Sequence, residues 1–152
     1  MVRVVRVLQG LVIGAAGTTA LNAVTYADMA VRGRQASATP ERTVVTAARA
    51  LGFPLPGDAE QDPRVTGAAA LLGLGAGTSA GVLLTVVRGD RRGLAADVGT
   101  AWALAMVVGN GPMTLLGVTD PRSWSSRDWI ADVVPHLAYA CAAGLTRRML
   151  HR

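Results

Sequence analysis

The sequence has few of the bulky residues on which a soluble domain of its size usually builds a core. Its 152 residues are 51% hydrophobic, yet they include one Phe, two Tyr and three Trp. Ala, Val, Leu and Gly supply most of the apolar content. Large side chains dominate soluble cores, whereas small ones let helix backbones approach closely in lipid. The composition therefore favours a single membrane domain over residues 1–152.

Residues that usually carry chemistry are equally scarce. Cys141 is the one cysteine and lies in an apolar run, so we expect a buried thiol and no disulfide or cysteine-based metal site. The second histidine, His151, lies at the far end of the chain. A haem bound by two histidines within the bundle would therefore have no second histidine ligand. No catalytic triad or phosphate loop is recognisable. We therefore predict no catalytic residues, no metal and no cofactor.

Lysine is absent, and all 15 basic residues are arginines. A net charge of +5 could indicate nucleic acid, but the arginines form no single motif. Most of them lie at the ends of apolar runs: Arg3, Arg6, Arg32, Arg34, Arg64, Arg88, Arg91, Arg92, Arg147 and Arg148. Charge at such positions is typical of membrane boundaries. We expect the lipid bilayer, and no nucleic acid, as a partner.

Four apolar runs predict an all-α integral membrane bundle of about four transmembrane helices. They cover approximately residues 7–31, 65–87, 94–118 and 129–147. Gly109-Asn110-Gly111-Pro112 should weaken or kink the third helix. Asp132, Pro135 and His136 interrupt the fourth, which leaves a three-span protein with an amphipathic tail as an alternative. A soluble helical domain is a further alternative, because glycine and alanine make the runs only moderately hydrophobic.

The longest connection, residues 32–64, is rich in glycine and proline but contains one amphipathic segment at about 40–51. Thr39-Pro40-Glu41 has the pattern of an N-cap, a first-turn proline and an early acid. Val44, Ala48 and Leu51 then share one face. We predict a short helix that lies on the membrane surface or packs against the bundle.

Four spans place the N-terminus, the 88–93 loop and the C-terminus on one side with eight arginines, against seven on the other. The first side packs its arginines into shorter segments, so the positive-inside rule favours cytoplasmic termini. Ser125 and Asp128 have the spacing of a capping box before the fourth span, where Trp124 and Trp129 suit the membrane interface.

Small residues recur every four positions in the first two spans. Gly10, Gly14 and Thr18 form one row, and Gly73, Gly77 and Gly81 form another. Residues at this interval share one side of a helix and make a groove for a neighbouring backbone. The rows indicate either a subunit interface or packing within the bundle.

Polar residues inside the apolar runs are the other candidates. Asp132 and His136 are one helical turn apart, and Tyr139 follows on the same side. A carboxylate beside an imidazole is the arrangement of a proton relay or pH sensor, although a structural hydrogen bond explains it equally. Asn22 and Asn110 need partners in lipid, so they indicate interhelical hydrogen bonds or a cavity lining. Asp28 and Asp97 lie near span ends, where we expect pairing with Arg32 and with Arg91 or Arg92.

The segments Gly14-Ala15-Ala16-Gly17-Thr18-Thr19-Ala20-Leu21-Asn22 and Pro135-His136-Leu137-Ala138-Tyr139 resemble those of YagU-like and related actinobacterial small inner-membrane proteins. The resemblance implies a four-helix protein of the bacterial inner membrane and emphasises Asn22 and His136. It carries no catalytic residues across.

Two functional classes follow. The first is a non-enzymatic subunit or accessory protein that packs through its glycine rows against another membrane protein or a second copy of itself. The second is a small transporter or proton-linked module that uses His136 and Asp132. A membrane-embedded enzyme ranks behind both.

Overall fold

The structure, a computed structural model, describes residues 2–151; Met1 and Arg152 lie outside this range. Within it the chain is all-α, with five helices and no strand. They are α1 (Val2–Arg32), α2 (Thr39–Ala50), α3 (Pro63–Arg88), α4 (Leu94–Leu115) and α5 (Ser126–Leu150), with short 3-10 turns at Ala59–Gln61 and Pro121–Ser123.

Four long helices form a ring in the order α1, α3, α4, α5. Helices α1 and α4 each pack against both α3 and α5, so α1 faces α4 diagonally. The core contains mostly small residues around the larger Ile13, Leu84 and Tyr139, which are at most 1% exposed. Small core residues allow close approach of the backbones, as the composition predicts.

Local sequence explains where the helices begin. Ser125 and Asp128 form the expected capping box of α5, in which each residue caps the other's backbone. The Asp62 carboxylate accepts a hydrogen bond from the Arg64 N–H before α3, with Pro63 in the first turn. Helix α3 ends at Arg88 and is followed by Gly89, whose φ of 51° favours glycine.

Several expected boundaries need correction. Helix α2 includes Thr39 as its first residue, so Thr39 is not the N-cap. Helix α4 continues through Gly109 and Pro112 but ends at Leu115, short of the expected 118. Helix α5 begins three residues before the expected 129 and continues to Leu150, because the capping box starts it early. Cys141 is exposed rather than buried.

Helix α2 packs against the bundle through a face that includes Val44, as expected, but not Leu51. Thr43 and Val45 are buried, and Val45 contacts Ala59 and Val65. Leu51 is 75% exposed, so it does not belong to the packed face. The expected short helix is present, and packing on α3 accounts for its position.

The glycine rows of α1 and α3 pack against each other. A Cβ added at Gly14 would lie 2.6 Å from the Gly77 carbonyl oxygen, and one at Gly10 would lie 2.5 Å from the Val82 Cα. Gly81 approaches Gly10 and Gly14 in the same way, and Gly77 approaches Thr18. Gly73 has open space around it. The rows therefore serve packing within the bundle, the simpler of the two interpretations.

Two helices are long and apolar enough to cross a membrane: the Val4–Arg32 part of α1, and α3. Only 28% and 22% of their most apolar stretches are buried inside the fold, whereas the core helix of a soluble protein is mostly buried. Large apolar side chains face outward on every helix of the ring, including Leu8 (57% exposed), Leu72 (51%), Val107 (67%) and Leu137 (43%).

Candidate functional site

Three of the expected polar residues meet between α4 and α5. The Asn110 side-chain N–H donates to an Asp132 carboxylate oxygen at 3.0 Å. The Nδ1 atom of His136 lies 2.7 Å from the Asp132 backbone oxygen and 3.5 Å from its carboxylate. We call Asn110, Asp132 and His136 the polar cluster.

The surroundings of His136 fix its hydrogen bonding. Both oxygens beside Nδ1 are acceptors, so Nδ1 carries a proton in this geometry. The Nε2 atom lies against Gly109, where an added Cβ would be 3.2 Å away. The side chains of Asp132 and His136 are 20% and 12% exposed, so the pair is neither sealed from solvent nor open to it.

Tyr139 lies on α5 beyond this cluster and has a separate role. Its hydroxyl donates to the Gly77 carbonyl oxygen of α3 at 2.7 Å, which joins two diagonal helices. Its ring lies against Gly17 of α1, where an added Cβ would be 2.6 Å from ring carbons. Only a residue without a side chain leaves room for the ring, so Tyr139 fixes three helices at once.

Asn22 does not join the polar cluster. It is partly exposed on α1, and no hydrogen bond involves its side chain within residues 2–151. The pairing expected at Asp28 is confirmed, since Arg32 donates to its carboxylate at 2.8 Å and Arg34 at 3.0 Å.

A second cluster lies at the opposite end of the bundle, and its composition differs from the expectation. The Asp97 carboxylate pairs with Arg88 at 2.7 Å and with Arg147 at 2.9 Å, rather than with Arg91 or Arg92. Arg147 is 2% exposed and also donates to the backbone oxygens of Gly89 and Arg91. We call Asp97, Arg88 and Arg147 the arginine cluster. It fixes the 89–93 loop to the end of α5.

His151 lies close enough to this cluster to respond to its charge. Burial, followed by the charge of Arg147, lowers the pKa of His151, while Asp90 and Asp97 act in the opposite direction. The neutral imidazole is therefore favoured near the arginines. Its Nε2 atom and the Arg147 Nε are buried without a hydrogen-bond partner among the described residues.

Sequence spacing explains why one cluster was expected and the other was missed. Asp132 and His136 are neighbours on one helix, whereas Asp97 and Arg147 are 50 residues apart. A charged residue such as Arg147 within the last turns of a long helix normally indicates an exposed boundary position. The sequence offered one signal, an acid at the start of an apolar run that needs a cationic partner.

Comparison of the chain with protein-family models, with curated proteins and with solved structures gave no match. The resemblance to YagU-like inner-membrane proteins therefore stays a prediction.

Proposed function

We propose that this chain is an integral membrane protein whose α1, α3, α4 and α5 all cross the bilayer, and that it acts as a non-enzymatic subunit or accessory protein. The apolar outer surface of the ring carries this proposal. Exposed leucines and valines face outward on all four helices, and exposed apolar surface on this scale is typical of contact with lipid or with another protein. Bacterial plasma membrane is the compartment we propose.

Helices α4 and α5 fit this arrangement because their polar residues are paired inside the bundle. Asp97 of α4 binds two arginines, and Asn110 binds Asp132 of α5. Polar groups within membrane spans are tolerated when neighbouring helices supply partners. These residues lower the hydropathy of α4 and α5 while remaining compatible with a lipid-facing exterior.

A partner would contact the outer faces of the ring rather than the glycine rows. Gly10, Gly14, Gly77 and Gly81 are occupied by contacts between α1 and α3. The axis of the ring is filled by Ile13, Leu84 and Tyr139. A packed axis supports a scaffold or accessory role better than a permeation path. The partner would be another membrane protein or a second copy of this chain.

Two measurements test this proposal. Alkaline carbonate treatment of native membranes should leave the chain in the pellet, and its release into the supernatant would contradict membrane integration. Extraction in mild detergent followed by mass spectrometry should then recover a stoichiometric membrane partner or a homo-oligomer. A strictly monomeric chain that purifies alone would contradict the subunit role.

The polar cluster supports a second candidate, a proton-linked membrane module. Asn110, Asp132 and His136 lie within hydrogen-bond distance on two helices. In proteoliposomes, His136→Ala should abolish proton-coupled flux if the imidazole exchanges protons during transport. His151→Ala is the matched control, because it removes a histidine outside the cluster. Flux that is unchanged in His136→Ala would reject this candidate.

A further inference from the structure

An open depression lies at the end of α3. It has a volume of about 410 Å³ and is lined by Val86, Val87, Arg88, Gly89, Asp90 and Arg91. The floor of this depression is fixed, because buried Arg147 donates to the backbone oxygens of Gly89 and Arg91 at 2.6 and 3.2 Å. The site is therefore built by the fold rather than by a loose loop.

The charges around the depression do not balance. The single Asp97 carboxylate serves both Arg88 and Arg147, which leaves one surplus positive charge in a buried position. Asp90, the acid that lines the depression, is paired with Arg6 at 2.8 Å. Arg91 is exposed, and no ion pair involves it among the described residues. A surplus buried cation favours a nearby anion.

The rest of the chain shows the same asymmetry. In the sequence, the end that holds both termini and the 88–93 loop has eight arginines and two acids. The other end has seven arginines and eight acids, counting Asp132. The positive field is therefore concentrated at the end that contains the depression.

The depression also has an apolar side. Val86 and Val87 are 66% and 51% exposed on the outer face of α3, directly before Arg88. A ligand that fits both sides has a negatively charged head for the arginines and a hydrocarbon chain for the valines. An anionic phospholipid at the membrane surface has this chemistry.

We infer that the depression binds the headgroup phosphate of an anionic phospholipid, with Arg91 as a direct contact and an acyl chain along Val86 and Val87. Arg88, which lines the depression, and the buried Arg147 supply the surplus positive charge. This inference rests on the membrane integration proposed above.

Native mass spectrometry of the delipidated full chain in a neutral detergent tests the inference. The probes are phosphatidylglycerol and phosphatidylcholine with identical acyl chains, and inorganic phosphate. The wild-type chain should retain phosphatidylglycerol in preference to phosphatidylcholine. Arg91→Gln should weaken phosphatidylglycerol binding about fivefold, the effect of one basic residue at an anionic membrane surface. The backbone oxygen of Arg91 still accepts from Arg147 in this variant.

Two matched variants separate a site from a general charge effect. Arg148→Gln removes an exposed charge at the same end outside the depression, and Arg127→Gln removes one at the opposite end. Both should retain wild-type binding of phosphatidylglycerol. Equal loss in all three variants would contradict a defined site.

Three further results would overturn the inference: equal binding of the two lipids, unchanged binding by Arg91→Gln, or displacement of the lipid by inorganic phosphate at matched concentration. The last result would show that the site binds free phosphate rather than lipid. Carbonate treatment of membranes with the same chain separates the two proposals. A chain that stays in the membrane but shows no lipid preference rejects this inference alone, whereas release from the membrane rejects membrane integration.

Discussion

At the scale of single residues, Tyr139 connects three helices of the fold. Its ring occupies the space beside Gly17 of α1, and its hydroxyl reaches the Gly77 carbonyl of α3. Because the hydroxyl is held in an apolar interior, loss of this hydrogen bond acts on stability directly.

We predict that Tyr139→Phe lowers the free energy of unfolding by about 1 kcal/mol, since interhelical hydrogen bonds in membrane proteins contribute on that order. The free energy of unfolding is measured in mixed micelles that contain a rising fraction of denaturing detergent. Tyr26→Phe is the control, because Tyr26 is 62% exposed and should unfold like the wild type. Equal stability of Tyr139→Phe and wild type would contradict the role given to the hydroxyl.

Asp97 compensates two arginines, one of which is buried. We predict that Asp97→Asn lowers the free energy of unfolding by about 3 kcal/mol or more, because it leaves the buried Arg147 guanidinium without a carboxylate. Asp90→Asn breaks the ion pair with Arg6, in which the Asp90 side chain is 80% exposed. This substitution should lower the free energy of unfolding by less than about 1 kcal/mol. Similar losses in the two variants, measured by the same micelle assay, would argue against the arginine cluster.

The capping box of α5 gives a prediction with pH. Hydrogen bonds from the Ser125 side chain and then its backbone hold the pKa of the exposed Asp128 carboxyl below its usual 3.8. The ionised carboxylate of Asp128 is favoured in the folded state. Its contribution to stability is therefore complete above the pKa of Asp128 in the unfolded chain, and it is lost as pH falls through the pKa of Asp128 in the folded protein.

The wild type should therefore be more stable than Asp128→Asn near neutral pH. The difference in the free energy of unfolding between the two proteins should narrow as pH falls below 3.8. Unfolding measured at a series of pH values checks it. Asp58→Asn removes an exposed acid that makes no capping hydrogen bond, and it should show no such narrowing. A gap that is constant down to acid pH would contradict the capping contribution.

At the scale of helices, the glycine rows distinguish close contacts from open positions on the same helix. We predict that Gly81→Ala destabilises the bundle by about 1–3 kcal/mol, because the added methyl group meets the backbone of α1. Gly73→Ala is the matched control on the same row. It has open space and should be neutral or slightly stabilising, since alanine favours the helix.

Thermal or detergent unfolding of Gly81→Ala and Gly73→Ala measures the stability of each variant. If Gly73→Ala were the more damaging variant, α1 and α3 would not be packed in the register described here. Reduced recovery of a partner with Gly73→Ala alone would place a subunit contact on the outer face of α3.

Much of the helical framework could be predicted because it depends on local patterns. The apolar runs, Pro63 in a first turn and the Ser125–Asp128 capping box all act over a few residues. The small helix at 39–50 followed from the same signals, but its two buried residues, Thr43 and Val45, did not. Val45 packs against Val65 of α3, a contact that depends on the tertiary position of α2 rather than on its own periodicity.

Polar pairing was predictable only where partners lie one turn apart. Asp28 with Arg32 and Asp132 with His136 follow from helical spacing. The partners of Asp97 required the fold, because Arg88 and Arg147 come from two other helices. The same limit applies to Asn110, which finds Asp132 across the contact between α4 and α5.

At the scale of the whole molecule, three distributions point to the same environment. Apolar side chains cover the outside of the ring, polar groups of α4 and α5 are paired within it, and charge accumulates at its ends. A soluble bundle reverses the first distribution, with polar residues outside and large apolar residues in the core. The proposal that all four long helices cross a bilayer follows from these features together.

The most direct measurement of this central claim is the side of the membrane from which single cysteines react. In a Cys141→Ala background, cysteines replace Ser37, Arg92, Ser126 or Arg148 in turn, and a membrane-impermeant maleimide labels sealed vesicles of both orientations. We predict that positions 92 and 148 react from one side, the cytoplasmic one, and that positions 37 and 126 react from the other. Reaction of position 148 from the same side as position 126, or of all four from one side, would contradict a four-span bundle.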